Sequence, residues 1–201
     1  MEVGLFFGSF NPIHHGHLIV ASEIIQAGLV QELWFVVSPQ NPFKKIGSLL
    51  NENHRLFLLQ EAIEGDSRLK ASNIEFKLPK PSYTVNTLAY LKEKYPSHQF
   101  SIILGSDSFQ NLPKWKNAPY IIQNHRILIY PRKGYDVKDT YGANIHLTQS
   151  PLIEISSTHI RKLIRERKSI RYLVPETVRV AIETNLYYFS NSENQTQEQD
   201  S

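Results

Sequence analysis

Near its start the chain carries two histidines set around a glycine: His14, Gly16 and His17 in GSFNPIHHGHL. Imidazoles donate hydrogen bonds and are neutral or charged near neutral pH. A spacing of three sets both rings on one side of a helix's first turn. Before them, Val3 to Phe7 is apolar and reads as a buried strand. After them, an amphipathic pattern from about His17 reads as a helix closed by Gly28. Free N–H groups at a helix N-terminus favour an anion such as phosphate. Gly16 leaves room for close approach of a ligand or of other backbone. Strand, turn and helix together predict a phosphate site here, and the plainer alternative is a surface loop rich in histidine.

Far along the chain, Ile155 to Arg161 (ISSTHIR) offers a second set of donors. Ser156 and Ser157 stand at the opening of a helix, where hydroxyls and free N–H groups converge. Arg161 lies one turn further in and presents a forked cation. Taken alone, the segment also reads as an ordinary helix cap beside a solvated arginine. Lys44 and Lys45 in PQNPFKK bring positive charge to a loop; Lys44 reads equally as a solvated lysine, and Lys45 less so. Tyr83 and Trp115 sit in Pro-rich, loop-like surroundings and offer flat faces for an aromatic ring. The chain has no cysteine and no G-x-S-x-G elbow, so it shows no obvious nucleophile. Donors and cations without a nucleophile suit the binding of charge that spreads over phosphates. His54, His98, His125 and His146 lack partners at ligand spacing and read as structural or surface residues.

The elements that must position these groups alternate. Glu32–Ser38 reads as a second buried strand, and Asn51 as the N-cap of a helix over Glu52–Glu64, periodic through Leu56, Leu59 and Ile63. Leu69–Phe76 is a third strand, followed by a helix from Thr84 to about Tyr95. Phe100–Leu104, Arg126–Tyr130 and Ile145–Thr148 are further strands. Helices over Ser157–Arg167 and Pro175–Tyr188 close the chain, with Pro175 at a first helical position. This order predicts an α/β fold, a Rossmann-like doubly wound parallel sheet with helices on both faces. Ligands then bind beyond the carboxyl ends of the strands, where strand order reverses. The expected organisation is a single domain over 1–189 and a polar, disordered tail over 190–201.

Composition sets the outer limits. The net charge of +3 fits an anionic substrate and is too mild, with its cations dispersed, for nucleic-acid binding. No apolar run approaches the ~20 residues of a membrane helix. The N-terminus lacks the order of a signal peptide, so residence is expected in the cytoplasm. A homo-oligomer is left open.

At these motifs the chain resembles a known family. GSFNPIHHGHL is similar to the N-terminal block of the nucleotidyltransferase superfamily, whose H-x-G-H motif falls here on His14-His15-Gly16-His17. Ile155 to Arg161 resembles its I-S-S-T-x-I-R block, in the expected order at the other end of the domain. Ser82-Tyr83-Thr84 with Thr87-Leu88 resembles S-Y-T-x-x-T-L, and Gly105-Ser106-Asp107 through Leu112-Pro113-Lys114-Trp115 resembles G-x-D-x-x-x-x-L-P-K-W. Both blocks are characteristic of bacterial nicotinate-nucleotide adenylyltransferases, and the resemblance runs from Val3 to about Phe189.

The resemblance implies transfer of the adenylyl group of ATP to nicotinate mononucleotide, giving deamido-NAD and pyrophosphate, with Mg²⁺ bound mainly through the ATP phosphates. It implies that His14 and His17 contact the triphosphate and that Gly8, Ser9 and Phe10 form the backbone wall of the nucleotide site. Ser156, Ser157, Thr158 and Arg161 become a second phosphate cradle. Lys45 matches the lysine that ends a P-x-x-x-P-P-H-K segment, although Phe43 and Lys44 replace Pro and His and the segment is one residue shorter. Arg132, in PRKG, matches a basic position near the adenylate. Tyr83, Thr84, Gly105, Asp107 and Trp115 are implied to take the mononucleotide, with Thr84 and backbone N–H groups at the carboxylate and Asp107 at ribose hydroxyls. The alternatives are a sister enzyme acting on nicotinamide mononucleotide or phosphopantetheine, and a non-catalytic nucleotide-binding module.

Overall fold

Apolar residues alternate along the strands and send side chains to both faces of a sheet. In the computed structural model, which describes residues 1–40 and 49–189, that sheet has six strands. They are β1 (Glu2–Gly8), β2 (Glu32–Val37), β3 (Leu69–Ser72), β4 (Gln99–Gly105), β5 (Ile127–Tyr130) and β6 (Ile145–Leu147). Their order is β3-β2-β1-β4-β5-β6, and every neighbouring pair is parallel. This is the Rossmann-like arrangement, with its switch point between β1 and β4. Gly8 and Gly105 therefore end the two strands that flank the crevice.

The helices are α1 (His15–Gln26), α2 (Glu52–Ile63), α3 (Thr84–Lys94), α4 (Ser106–Phe109), α5 (Ala118–Asn124), α6 (Ser157–Arg165) and α7 (Glu176–Thr184). Phe6, Phe35, Ile103 and Leu128 pack with Val20 and Ile24 of α1, Leu58 and Leu59 of α2, Ile160 and Ile164 of α6, and Val178 and Ile182 of α7. On the other face Leu5, Val36, Ile102 and Ile129 pack with Leu88 and Leu91 of α3, Phe109 of α4 and Ile121 of α5. Both faces of the sheet are covered, as a doubly wound fold requires.

Several element bounds differ from the sequence pattern. β3 stops at Ser72, and Ile74–Lys77 is a 3-10 turn that buries Ile74 and Glu75. Pro175 caps α7 rather than opening it, and the helix ends at Thr184. α1 begins at His15, with His14 as its N-cap. Asn51 caps α2 as expected, its side chain accepting from the Asn53 N–H. The buried face of α2, however, carries Arg55, Leu58 and Leu59, while Leu56 and Ile63 are only half-buried. Lys44, Lys45 and the tail from 190 lie outside the described residues.

Arg55 is fully buried, at 0% exposure, and no periodic reading selects it. Its Nε donates to the Leu50 carbonyl at 2.7 Å, and its Nη1 donates to the Ser9 carbonyl at 2.6 Å and the Ser38 carbonyl at 2.9 Å. Nη2 reaches the Pro39 carbonyl at 3.3 Å. One guanidinium thus ties together the chain leaving β1, the chain leaving β2 and the start of α2. Truncating it strands several buried carbonyls, each lost partner costing about 1–3 kcal/mol. Arg55→Leu is expected to lower stability by about 3 kcal/mol or more. Urea unfolding checks this, through a lower midpoint at unchanged slope.

Candidate active site

The chain leaving β1 carries the site. Phe10 takes a positive φ of 44°, an uncommon conformation for a bulky residue, and its ring is buried. A Cβ on Gly8 would stand 2.7 Å from that ring, so β1 must end in glycine. Only the backbone of Phe10 faces a ligand. Its ring packs edge-on against Phe35 and His17, with centroids 5.5 Å and 5.1 Å away.

His14 and His17 stack, with ring centroids 3.7 Å apart and an interplanar angle of 21°. Gly16 makes this possible, because a Cβ there would lie 3.0 Å from the His14 ring. His14 is 4% exposed, and its Nδ1 has no hydrogen-bond partner among the described residues. Burial, helped by the positive charges of Arg132 and His15, pulls its pKa down to about 3. His14 is therefore a neutral imidazole in the free protein. Phe6, Tyr130 and Arg132 line the same pocket as the pair.

Helix α6, from the far end of the chain, holds the loop that leads into this pocket. Ser156 caps α6, its hydroxyl accepting from the His159 N–H at 3.2 Å. Ser157 donates to the Pro12 carbonyl at 2.9 Å. Arg161 donates to the Asn11 carbonyl at 2.7 Å and approaches the Thr158 hydroxyl at 3.4 Å. The sequence motif implies a phosphate cradle at these residues. It gives no sign that Ser157 and Arg161 also hold the loop that carries the histidines.

On the β4 side, a Cβ on Gly105 would collide with Asp107 Oδ1 and lie 3.1 Å from the Tyr130 ring. Asp107 faces Arg132 across 3.9 Å. The Arg132 N–H donates to the Ser106 hydroxyl at 2.9 Å, and its guanidinium lies over Tyr130 at 5.5 Å. Arg132 thus bridges the β4 and β5 ends and stands near His14.

A second cavity, of about 120 Å³, opens beside Gly8. Tyr83, Thr84 and Trp115 line it together, as their motifs foretold, with Ser38, Glu75, Ser82 and Lys116. Lys116 Nζ sits 4.4 Å from the Tyr83 ring centroid, a cation–π contact. The predicted residues therefore gather around two adjoining spaces at the carboxyl ends of the strands. The first holds His14, His17 and Arg132, and the second holds Tyr83, Thr84 and Trp115. Gly105 and Asp107 stand at the β4 end, and Lys45 lies outside the described residues. Arg55, Glu75 and Lys116 were missed. A charged residue on a helix or 3-10 turn, such as Arg55 or Glu75, looks solvated until its face is known, and the one signal for Lys116 is that it directly follows Trp115.

The cytidylyltransferase-like family model matches residues 5–163, and the chain belongs to that family. Among its relatives, the chain is 47% identical over 191 residues to a Flavobacterium psychrophilum protein named "probable nicotinate-nucleotide adenylyltransferase", covering 94% of this chain and 99% of the relative. It is 48% identical over 190 residues to a Christiangramia forsetii protein of the same name, covering 93% and 98%. The fold is similar to Plasmodium falciparum nicotinic acid mononucleotide adenylyltransferase complexed with NaAD. That likeness has a TM-score of 0.80 at 21% identity, over 94% of this chain and 98% of that one.

The neutral state of His14 has a consequence for stability. Its folded pKa of about 3 lies below the ordinary 6.5. Between those values only the unfolded chain takes the proton, so stability falls as pH drops from 6.5 towards 3 and is indifferent to His14 above 6.5. His125 is also lowered, mainly by burial, so a variant must isolate His14. From about pH 7 to about pH 4 the wild type is expected to lose ~3 kcal/mol more than His14→Asn. Urea midpoints of the two proteins across that range test it.

Proposed function

We propose that this chain is a nicotinate-nucleotide adenylyltransferase, which moves the adenylyl group of ATP onto nicotinate mononucleotide. The observation that carries the reading is the pairing of two unlike spaces at the end of β1. One is a donor-rich pocket around stacked His14 and His17, and the other is an aromatic-lined cavity at Trp115. The names of relatives at 47% and 48% identity support the same acceptor.

An oxygen of the mononucleotide phosphate attacks the α-phosphorus of ATP in line with the leaving group. The new P–O bond forms as the bond to the bridging oxygen breaks, and pyrophosphate departs with the electron pair. The attacking oxygen is already ionised, so catalysis is positioning and charge stabilisation. His14 and His17 donate to the triphosphate, against the backbone of Gly8, Ser9 and Phe10. A polyanion beside His14 opposes the effect of Arg132 and raises the imidazole pKa, which links ATP binding to proton uptake. Ser156, Thr158, Arg161 and the backbone of Ser157 receive phosphate oxygens at the α6 opening. Arg132 approaches the adenylate, and Lys45 brings charge from the loop after β2.

Tyr83, Thr84, Gly105, Asp107 and Trp115 hold the mononucleotide, with the pyridine ring against Trp115. Mg²⁺ would be held mainly by the ATP phosphates, where it would supply positive charge to offset that on the departing pyrophosphate. Among the described residues no group of three or more His, Cys, Asp or Glu side chains is placed to hold a metal ion. Among them, too, no helix is long and apolar enough to cross a membrane, and the cytoplasm is the proposed setting.

Pyrophosphate release with ATP and Mg²⁺ tests the reaction, with nicotinate and nicotinamide mononucleotides run in parallel. Strong release with the first and little with the second is expected. Equal release keeps the adenylyltransferase and removes the acceptor assignment, and none with either sinks the reading. His17→Ala is expected to cut turnover by about 10²-fold or more while leaving the circular dichroism spectrum intact. Trp115→Ala is expected to raise KM for the mononucleotide well above any change for ATP; an equal rise makes Trp115 packing alone.

A further inference from the structure

Among the described residues Glu75 is the one acidic side chain sealed inside the acceptor cavity wall, at 1% exposure. The turn Ile74–Lys77 holds it there. Its Oε1 lies 2.9 Å from the Thr87 hydroxyl on α3. Its Oε2 is buried with no hydrogen-bond partner of normal geometry, and so is the Ser82 hydroxyl. Two orphaned polar atoms in one cavity wall are unusual, because buried polar groups nearly always find partners.

Among the described residues the surroundings hold no charge to balance a carboxylate. Three hydroxyls face Glu75, those of Thr87, Ser38 and Ser82, and no cation among the described residues contributes to its titration. Tyr83 and Lys116 are the other titratable residues lining the cavity, and Lys116 sits over the Tyr83 ring. Lys80, from the neighbouring loop, pairs with Glu52. Burial outweighs the hydroxyls and pushes the Glu75 pKa up. A carboxyl in such a place favours its neutral form.

We propose that Glu75 is a specificity-determining residue that stays neutral, points its proton at Ser82, and so leaves the Ser82 hydroxyl to donate to a carboxylate-bearing ring. The inference rests on the acceptor reading above. An ionised Glu75 would do the opposite: it would claim the Ser82 proton and set a buried negative charge behind a negative ligand. A neutral carboxylic acid removes the repulsion and orients the donor. Nicotinate gains from both effects. Nicotinamide, which carries no charge on that substituent, gains from neither in the same degree.

The test compares kcat/KM for nicotinate and nicotinamide mononucleotides at saturating ATP in the wild type, Glu75→Gln and Ser82→Ala. Both mononucleotides carry the same phosphate, so its titration cancels in their ratio. Glu75→Gln keeps size and neutrality, and is expected to hold the ratio within about twofold. Ser82→Ala is expected to lower the ratio about tenfold, through KM for the nicotinate compound and with KM for ATP unchanged. Infrared spectroscopy of the wild type near neutral pH is expected to show the band of a protonated carboxylic acid, absent from Glu75→Gln.

A rise in the ratio of tenfold or more in Glu75→Gln overturns the proposal, since it means an ionised, opposing carboxylate. An unchanged ratio in Ser82→Ala, or no carboxylic acid band in the wild type, overturns it as well. The infrared measurement stands even if Glu75→Gln does not fold. Failure of the wild type to release pyrophosphate with either mononucleotide refutes the acceptor reading instead, and the band still reports on Glu75.

Discussion

Two arginines, one buried and one half-buried, grip the backbone of the loop that leaves β1, and the site depends on that grip. Arg55 reaches it from α2 through the Ser9 carbonyl, and Arg161 from α6 through the Asn11 carbonyl. Ser157 adds the Pro12 carbonyl. A loop outside regular structure has no ladder to satisfy its carbonyl oxygens, and burying them unpaired is costly. Charge-assisted bonds answer them here, and these are the stronger kind. Once the carbonyls are fixed inward, the loop has little freedom. Phe10 is held at positive φ, its ring is driven under Gly8, and His17 packs on that ring. The imidazole pair inherits its position from bonds that touch neither histidine.

The same cations shape the electrostatics. Among the described residues, Arg55 hydrogen-bonds only carbonyls, and no carboxylate closes on it. Carbonyl dipoles solvate a guanidinium without cancelling its charge, so positive potential persists beneath the loop. Arginine keeps that charge at any working pH, whereas His14 is neutral in the free protein. Permanent charge is thus built into the scaffold, and the adjustable groups face the ligand. Preorganised charge of this kind needs no rearrangement when negative charge shifts during reaction.

Periodicity and motifs made the sheet and most of the site legible. Strands β1, β2, β4 and β5 are short apolar runs bounded by turn residues, which is the clearest pattern a sequence offers. The S-Y-T and L-P-K-W motifs group Tyr83, Thr84 and Trp115, and the three line one cavity. The failures share a cause. Arg55 and Glu75 are charged residues on elements whose other positions are mixed, so pattern alone assigns them to solvent. Only tertiary placement reveals that carbonyls from distant loops surround one and hydroxyls the other. β3 was drawn too long for a related reason, since Ile74 and Phe76 are apolar but belong to a 3-10 turn. Pro175 fits an N-cap as readily as a first helical position, because its missing N–H is harmless at both.

The two spaces at the end of β1 differ in how they can tell one ligand from another. Under the proposed function, the pocket of His14, His17 and Arg132 would read charge, and any polyphosphate would satisfy it. The cavity of Trp115 lies against hydroxyls, aromatic rings and a buried carboxyl, and the one cation that lines it among the described residues, Lys116, is engaged by the Tyr83 ring. A cavity so made cannot choose an anionic ring by bulk attraction. It must choose by directed donors from O–H and N–H groups, and by keeping opposing charge away. Such a site rejects a near-isostere more sharply than an apolar slot does, because a mismatch leaves buried polar atoms unpaired. Affinity then belongs to the phosphate end of the substrate and selectivity to the ring end. This division follows from putting the cations under the β1 loop and the hydroxyls around Glu75.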